Sequence, residues 1–161
     1  MSKSILPIVI TLLLLSSCGF TLRGSETQAL STTLQQVELT FNNSSNELGR
    51  MLRRRLTASG VDIVENSSTY KITLGDEQRR ERIVSVNRNV RAGEYELTLM
   101  SSFQLENNGE AVISPEIISI DQTYAADPTN AAAKTNEAEL VLNELRQALV
   151  EQILRRLQTV R

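Results

Sequence analysis

The sequence predicts an α+β domain: a two-layer sandwich with two helices packed on one face of a mostly antiparallel sheet of four to five strands. Three observations predict it. Residues Glu94 to Leu105 alternate between apolar and mostly polar side chains, the pattern of a half-buried strand. The final segment, from Ala131 or Ala132 to about Gln158, repeats apolar residues at three- and four-residue steps instead, which makes one continuous helical stripe. The element order is strand, helix, three or four strands, helix, so both helices have a single sheet to cover.

Taken in order, Gln36 to Phe41 sets Val37, Leu39 and Phe41 on one face and is the first strand. Asn42-Asn43-Ser44-Ser45 turns the chain. Ser45 or Asn46 then caps a helix from Glu47 to about Ser59, with Leu48, Met51, Leu52 and Leu56 as its apolar stripe and Gly60 just past its end. Glu47 suits the positive pole of that helix. Arg50, Arg53 and Arg54 lie off the stripe, on a solvated face. Beyond the short apolar piece Val61 to Val64 and the turn Asn66-Ser67-Ser68, Tyr70 to Leu74 alternates as a strand. Gln78 to Arg82 is densely charged. Ile83, Val84 and Val86 then form a strand that runs into a basic turn, Asn87 to Gly93.

The long strand after that turn ends at Asn107-Asn108-Gly109, a hairpin signal because asparagine and glycine tolerate positive φ. Ala111 to Thr123 returns as the last strand. Pro115 has no backbone donor, so this strand lies at an edge or is broken by a bulge there. Asp127-Pro128-Thr129-Asn130 opens the last connection, and the helix behind it carries Ala138, Val141, Leu142, Leu145, Leu149, Ile153 and Leu157 on one stripe.

Composition narrows the function. The chain has no Trp and no His, aromatics make up only 4 %, and there is one cysteine, so the core is aliphatic and no internal disulfide exists. Without imidazole, a free thiol in the folded body or a phosphate-cradling glycine loop, catalysis has little to work with. Glu137 and Glu139 are two apart on a helix and do not face each other. Asp121 with Asp127 is weak evidence for metal. The reading is therefore a binding protein, with no enzyme activity, no metal and no dissociable cofactor. The net charge of −2 gives no general affinity for nucleic acid.

That average hides an asymmetry. Asn46 to Arg91 holds ten basic and six acidic residues, whereas Ala92 to Leu145 holds ten acidic residues and a single cation, Lys134. Arg88 and Arg91 flank the basic turn, where exposed guanidinium groups grip phosphate well. The residue types allow a second reading, in which these cations serve solubility and ion pairing with the acidic half.

The N-terminus places the domain. Lys3 and the apolar run Ile5 to Leu15 have the shape of a bacterial secretory signal, and that run is too short to span a bilayer, which needs about 20 residues. It closes on Leu15-Ser16-Ser17-Cys18, the pattern cleaved and acylated in bacterial lipoproteins. The expected organisation is a signal peptide over residues 1–17, removed; an acylated N-terminus and polar tether over residues 18–34; and one α+β domain over residues 35–161. Cys18 is the expected lipidation site, carrying S-diacylglycerol and an N-acyl chain, because several chains are needed for lasting attachment. Gly19 follows in place of an inner-membrane-retaining aspartate, which favours the outer membrane.

Cys18-Gly19-Phe20-Thr21-Leu22-Arg23-Gly24, then Arg88-Asn89 leading into Ala92-Gly93-Glu94-Tyr95, then Asp127-Pro128 leading through an alanine run to Lys134 and Glu137, together resemble the lipopolysaccharide-assembly lipoprotein family LptE. The resemblance implies a non-enzymatic outer-membrane lipoprotein, lipid-anchored on the periplasmic side. It implies one-to-one partnership with the β-barrel LptD, which the lipoprotein plugs and helps assemble, and binding of lipopolysaccharide for delivery to the outer leaflet. The family's lipopolysaccharide-contacting positions fall on Arg88 and Lys134, with lipid A phosphates as targets for both. Val90-Arg91 departs from the glycine-containing turn usual there. From the residues alone, the alternative is a periplasm-facing scaffold of another envelope complex that does not bind lipopolysaccharide.

Overall fold

One strand, β5 (Ala92–Asn107), is hydrogen-bonded along both edges in the computed structural model and holds the sheet together. The structure describes Leu30 and residues 33–41, 46–65, 68–86, 92–127 and 129–160. Around β5 stand β1 (Gln36–Phe41), α1 (Glu47–Ala58), β2 (Asp62–Val64), β3 (Tyr70–Leu74), β4 (Gln78–Val86), β6 (Glu110–Ala125) and α2 (Ala131–Gln158). The inward series of β5, Tyr95, Leu97, Leu99, Ser101, Phe103 and Leu105, is buried throughout. Its period of two is what a sheet covered on one face requires.

The α+β architecture is as expected, but the sheet has six strands and is mixed. β6 pairs with β5 along nearly its whole length, while β3 takes residues 103–107 of the opposite edge and β4 takes residues 92–100. β1 runs parallel to both β2 and β3. For β2 the physical reason is the connection: α1 carries the chain back to the starting end, and a strand that follows such a crossover is parallel to the one before it. The stretch Gln78 to Arg82, read only as charged, belongs to β4. All of β4 is an edge strand with almost every residue exposed, so no apolar alternation announces it.

Turn chemistry explains the hairpin. Asn107 pairs with Glu110, leaving Asn108 (φ 51°) and Gly109 (φ 83°) as the two central residues, both left-handed as a type I′ turn demands. β6 is an edge strand and also carries a bulge: Phe103 faces Glu116 whereas Leu105 faces Ile113, so Ser114 and Pro115 together oppose Gln104. Pro115 thus sits where no donor is missed. The extra residue shifts parity, which lets Ile113 and Ile118 both point into the core.

α1 is capped by Asn46, whose Oδ1 accepts from Gly49 N–H at 2.9 Å and whose Nδ2 donates to the Gly75 carbonyl at 3.2 Å. Gly49 lies against Phe41, and a Cβ there would come within 2.9 Å of the ring. Both helices contribute to one aliphatic core with the sheet: Leu48, Leu52 and Leu56 from α1, and Val141, Leu142, Leu145, Leu149, Val150, Ile153, Leu154 and Leu157 from α2. Leu30, inside the segment read as tether, is 2 % exposed and its carbonyl accepts from Leu34 N–H, so the packed body reaches back to it. Among the described residues, no helix is long and apolar enough to cross a membrane.

Glu77 ties the layers together. One carboxylate oxygen accepts from Leu48 N–H in the first turn of α1 (2.7 Å) and the other from Arg146 Nε of α2 (2.9 Å). Both side chains are largely buried, 17 % and 16 % exposed. Glu77→Ala leaves the Arg146 guanidinium with Asn143 but no carboxylate and frees a helix-terminal N–H, so it should cost about 2–3 kcal/mol in urea unfolding. Arg54→Ala, removing an exposed partner of Glu47, should cost less than about 1 kcal/mol. Equal losses at the two positions would show that Glu77 is not the clamp.

Candidate functional site

The site forms where the start of α2 crosses β4, β5 and the end of β6. Register sets the participants. Tyr95 of β5 is paired directly with Tyr124 of β6, Ile83 of β4 faces Tyr95 from the other side, and Glu81 faces Leu97. Glu81 therefore points to the helix-covered side, unlike its neighbours Arg80 and Arg82, which share the uncovered face with Thr98 and Glu96. Tyr95 and Tyr124 are both buried and stack with ring centroids 5.5 Å apart.

α2 begins at the expected place. Asn130 is its cap, accepting from Ala133 N–H at 3.0 Å, while Asp127 accepts from the backbone N–H and hydroxyl of Thr129. This start puts Lys134 in the first turn, the positive pole of the helix, where a cation is disfavoured and no acidic residue of that turn relieves it. The relief comes from the sheet. The Lys134 ammonium donates to Glu81 Oε1 and sits 3.9 Å above the centroid of the Tyr95 ring. Glu81 Oε2 accepts in turn from the Tyr124 hydroxyl at 2.7 Å.

These contacts set the protonation states. Burial works against the Glu81 carboxylate, yet the hydrogen bonds from Lys134 and Tyr124 and the charges of Lys134 and Arg79 outweigh it, so its pKa falls below the usual 4.5. The Tyr124 phenol is pushed far up, chiefly by burial and then by its bond to the ionised Glu81. Glu81 stays charged and Tyr124 stays protonated at neutral pH.

Beside the cluster opens a cleft of about 360 Å³, with Leu97, Ala138 and Leu142 as its apolar lining and Arg79, Glu81, Lys134 and Glu139 as its charged one. Arg79 and Glu139 form an exposed pair across it at 3.5 Å. The arrangement sets two cations, each paired with a carboxylate, beside an apolar floor. Among the described residues no acidic or thiol cluster is placed to hold a metal ion.

Of the residues singled out from sequence, Lys134 is at this cleft, held by Glu81 of the basic half. Arg88 and Cys18 lie outside the described residues. Arg53 of the solvated α1 face lies over the Phe41 ring at 5.8 Å, and Arg50 and Arg54 share Glu47. Sequence reasoning missed Glu81, Tyr95 and Tyr124 as partners of Lys134. Tyr95 was legible as an inward residue of β5; Glu81 was concealed in a charged run whose inward parity shows only through its register with Leu97.

Because the folded-state pKa of Glu81 lies below its unfolded value, its contribution to stability is present above about pH 4.5 and is lost as pH falls through the folded value. The stability advantage of wild type over Glu81→Gln should therefore be constant near neutrality and shrink on acidification below pH 4.5, read by urea unfolding across that range. A difference that stays flat or grows in acid would contradict the assignment.

The profile of a family described as LptE, lipopolysaccharide-assembly, matches residues 34–157. An LPS-assembly lipoprotein LptE of Yersinia pestis is 31 % identical over 155 residues, covering 94 % of this chain and 73 % of its own. The crystal structure of rare lipoprotein B from Shewanella oneidensis superposes with a TM-score of 0.70 at 28 % identity, over 77 % of this chain and 94 % of that one. The solution structure of a lipoprotein B from Nitrosomonas europaea gives a TM-score of 0.67 at 24 % identity, over 85 % and 88 %, and shares the fold.

Proposed function

The chain belongs to the LptE lipopolysaccharide-assembly family, and from that premise we propose that it is the outer-membrane lipoprotein that plugs the LptD β-barrel, helps assemble it and hands lipopolysaccharide to the outer leaflet. Membership itself gives the protein a role in lipopolysaccharide transport, and a non-enzymatic one. In the fuller reading, Cys18 carries the acyl chains and holds the domain at the periplasmic side of the outer membrane. Several chains together make such attachment lasting, where one gives only reversible binding.

The observation that carries the ligand reading is the placement of Lys134. The lone cation of the acidic half stands, paired with Glu81, at the lip of a cleft with an apolar floor. A phosphorylated amphiphile matches both: its phosphate meets Lys134, with Arg88 as the second cation, and its hydrocarbon meets Leu97, Ala138 and Leu142. Barrel plugging draws support from the other side of the sheet. That face is not covered by a helix and offers Thr98, Ser102 and Gln104, along with Thr73 and Thr123, as neutral hydrogen-bonding groups for a polar barrel lumen.

Two experiments test this. Replacing Arg88 and Lys134 together by aspartate should lower the affinity of the purified protein for lipopolysaccharide by about tenfold or more, with the circular dichroism of the fold retained. Unchanged binding would remove both residues from the ligand site. Affinity purification of the acylated protein in mild detergent should bring down LptD in one-to-one ratio; recovery of a different envelope complex without the barrel would favour a scaffold instead.

A further inference from the structure

Lys134 is already occupied. Its ammonium is held between the Glu81 carboxylate and the face of Tyr95, with 30 % of the side chain exposed. An anion that comes to Lys134 must compete with a carboxylate that the protein itself supplies. We propose that Glu81 is a positioning residue that competes with the ligand's phosphate for Lys134 and so holds the site's affinity down to a level that permits release. The proposal rests on the reading that Lys134 meets a phosphate.

The geometry gives Glu81 somewhere to stay when it is displaced. Only Oε1 is bound to Lys134; Oε2 accepts from Tyr124, a buried residue stacked on Tyr95 and fixed by direct pairing across β5 and β6. The carboxylate therefore swings about a hydrogen bond that survives the exchange, and Arg79 lies near enough to interact with its charge. Glu139 and Arg79 flank the same cleft as an exposed pair and do not bond Lys134. A phosphate monoester carries about −1.5 to −2 charge at neutral pH against −1 for the carboxylate, so it displaces Glu81 while Glu81 returns once it leaves. A site whose bound cation must first be freed shows an apparent affinity reduced by the fraction of time it is free. For a protein that passes its ligand on, that reduction favours transfer over retention.

The test is a mutant cycle on the full-length protein in detergent, titrated with bisphosphorylated lipid A and with the dephosphorylated lipid. Glu81→Gln keeps shape and the capacity to accept from Tyr124 but gives up the charge. It should bind bisphosphorylated lipid A about three- to fivefold tighter than wild type, the range an exposed ion pair commands. Binding of the dephosphorylated lipid should not change. Lys134→Gln should weaken binding of the phosphorylated lipid, and the double variant should match Lys134→Gln, with the gain abolished. Glu81→Ala is the second variant and should gain as Glu81→Gln does; Glu81→Asp, which keeps the charge, should stay near wild type.

If Glu81→Gln and Glu81→Ala bind no tighter while Lys134→Gln still weakens binding, the competitor is refuted and the phosphate reading stands. If Lys134→Gln binds as wild type, the phosphate reading fails and the competitor falls with it. A gain that persists in the double variant, or that extends to the dephosphorylated lipid, would trace the effect to something other than Lys134 and also overturn the proposal.

Discussion

The structure depends on one constraint: β5 buries an alternating row of side chains along nearly its full length, and something must cover every one of them. α2 does most of this. It runs alongside β5, from Lys134 near Tyr95 at one end to Arg156, which donates to Glu116 opposite Phe103, at the other. At about 1.5 Å per helical residue and 3.4 Å per strand residue, that stretch of helix is about 33 Å long and the strand stretch about 27 Å, so the helix covers the row with about a turn to spare. The first helical turn still has no large apolar residue to set on Tyr95. Lys134 covers the ring instead, and a cation placed there needs an anion; Glu81 on the adjoining edge strand is that anion. The binding cluster thus follows from how the sheet is roofed.

The charge asymmetry along the chain resolves in the same way. The basic half and the acidic half are not separate surfaces, because β4 and α2 exchange partners: Arg79 of the basic half meets Glu139, and the solitary Lys134 of the acidic half meets Glu81. Arg82 and Glu96 close a further pair across β4 and β5 on the uncovered side. Much of the linear segregation of charge is cancelled in three dimensions, which leaves the uncovered sheet face mixed rather than strongly charged.

Where the chain was legible, the reason was periodicity joined to punctuation. β1 and β3 fall on the residues their alternation marked, α1 starts behind the Asn46 cap, and the Asn108-Gly109 hairpin forms the turn its residue types demand. Pro115 proved to be both at an edge and in a bulge, the two places a missing donor is tolerated. What stayed hidden had no local signal. Parallel pairing of β1 with β2 and β3 is set by the path of the chain, and β4 carries charges on both faces because an edge strand is bathed in solvent. In the site, Lys134 stood out by being alone, whereas Glu81 is one charge among several and acquires its role only from the inward register that its antiparallel pairing with β5 creates.

The claim on which the site stands is that the Lys134 ammonium rests on the Tyr95 ring. Proton chemical shifts of the Lys134 ε-methylene test this directly, since protons above an aromatic face feel its ring current. They should be displaced upfield of those of an exposed lysine and should return to ordinary values in Tyr95→Leu. Ordinary shifts in the wild-type protein, unaffected by loss of the ring, would contradict it.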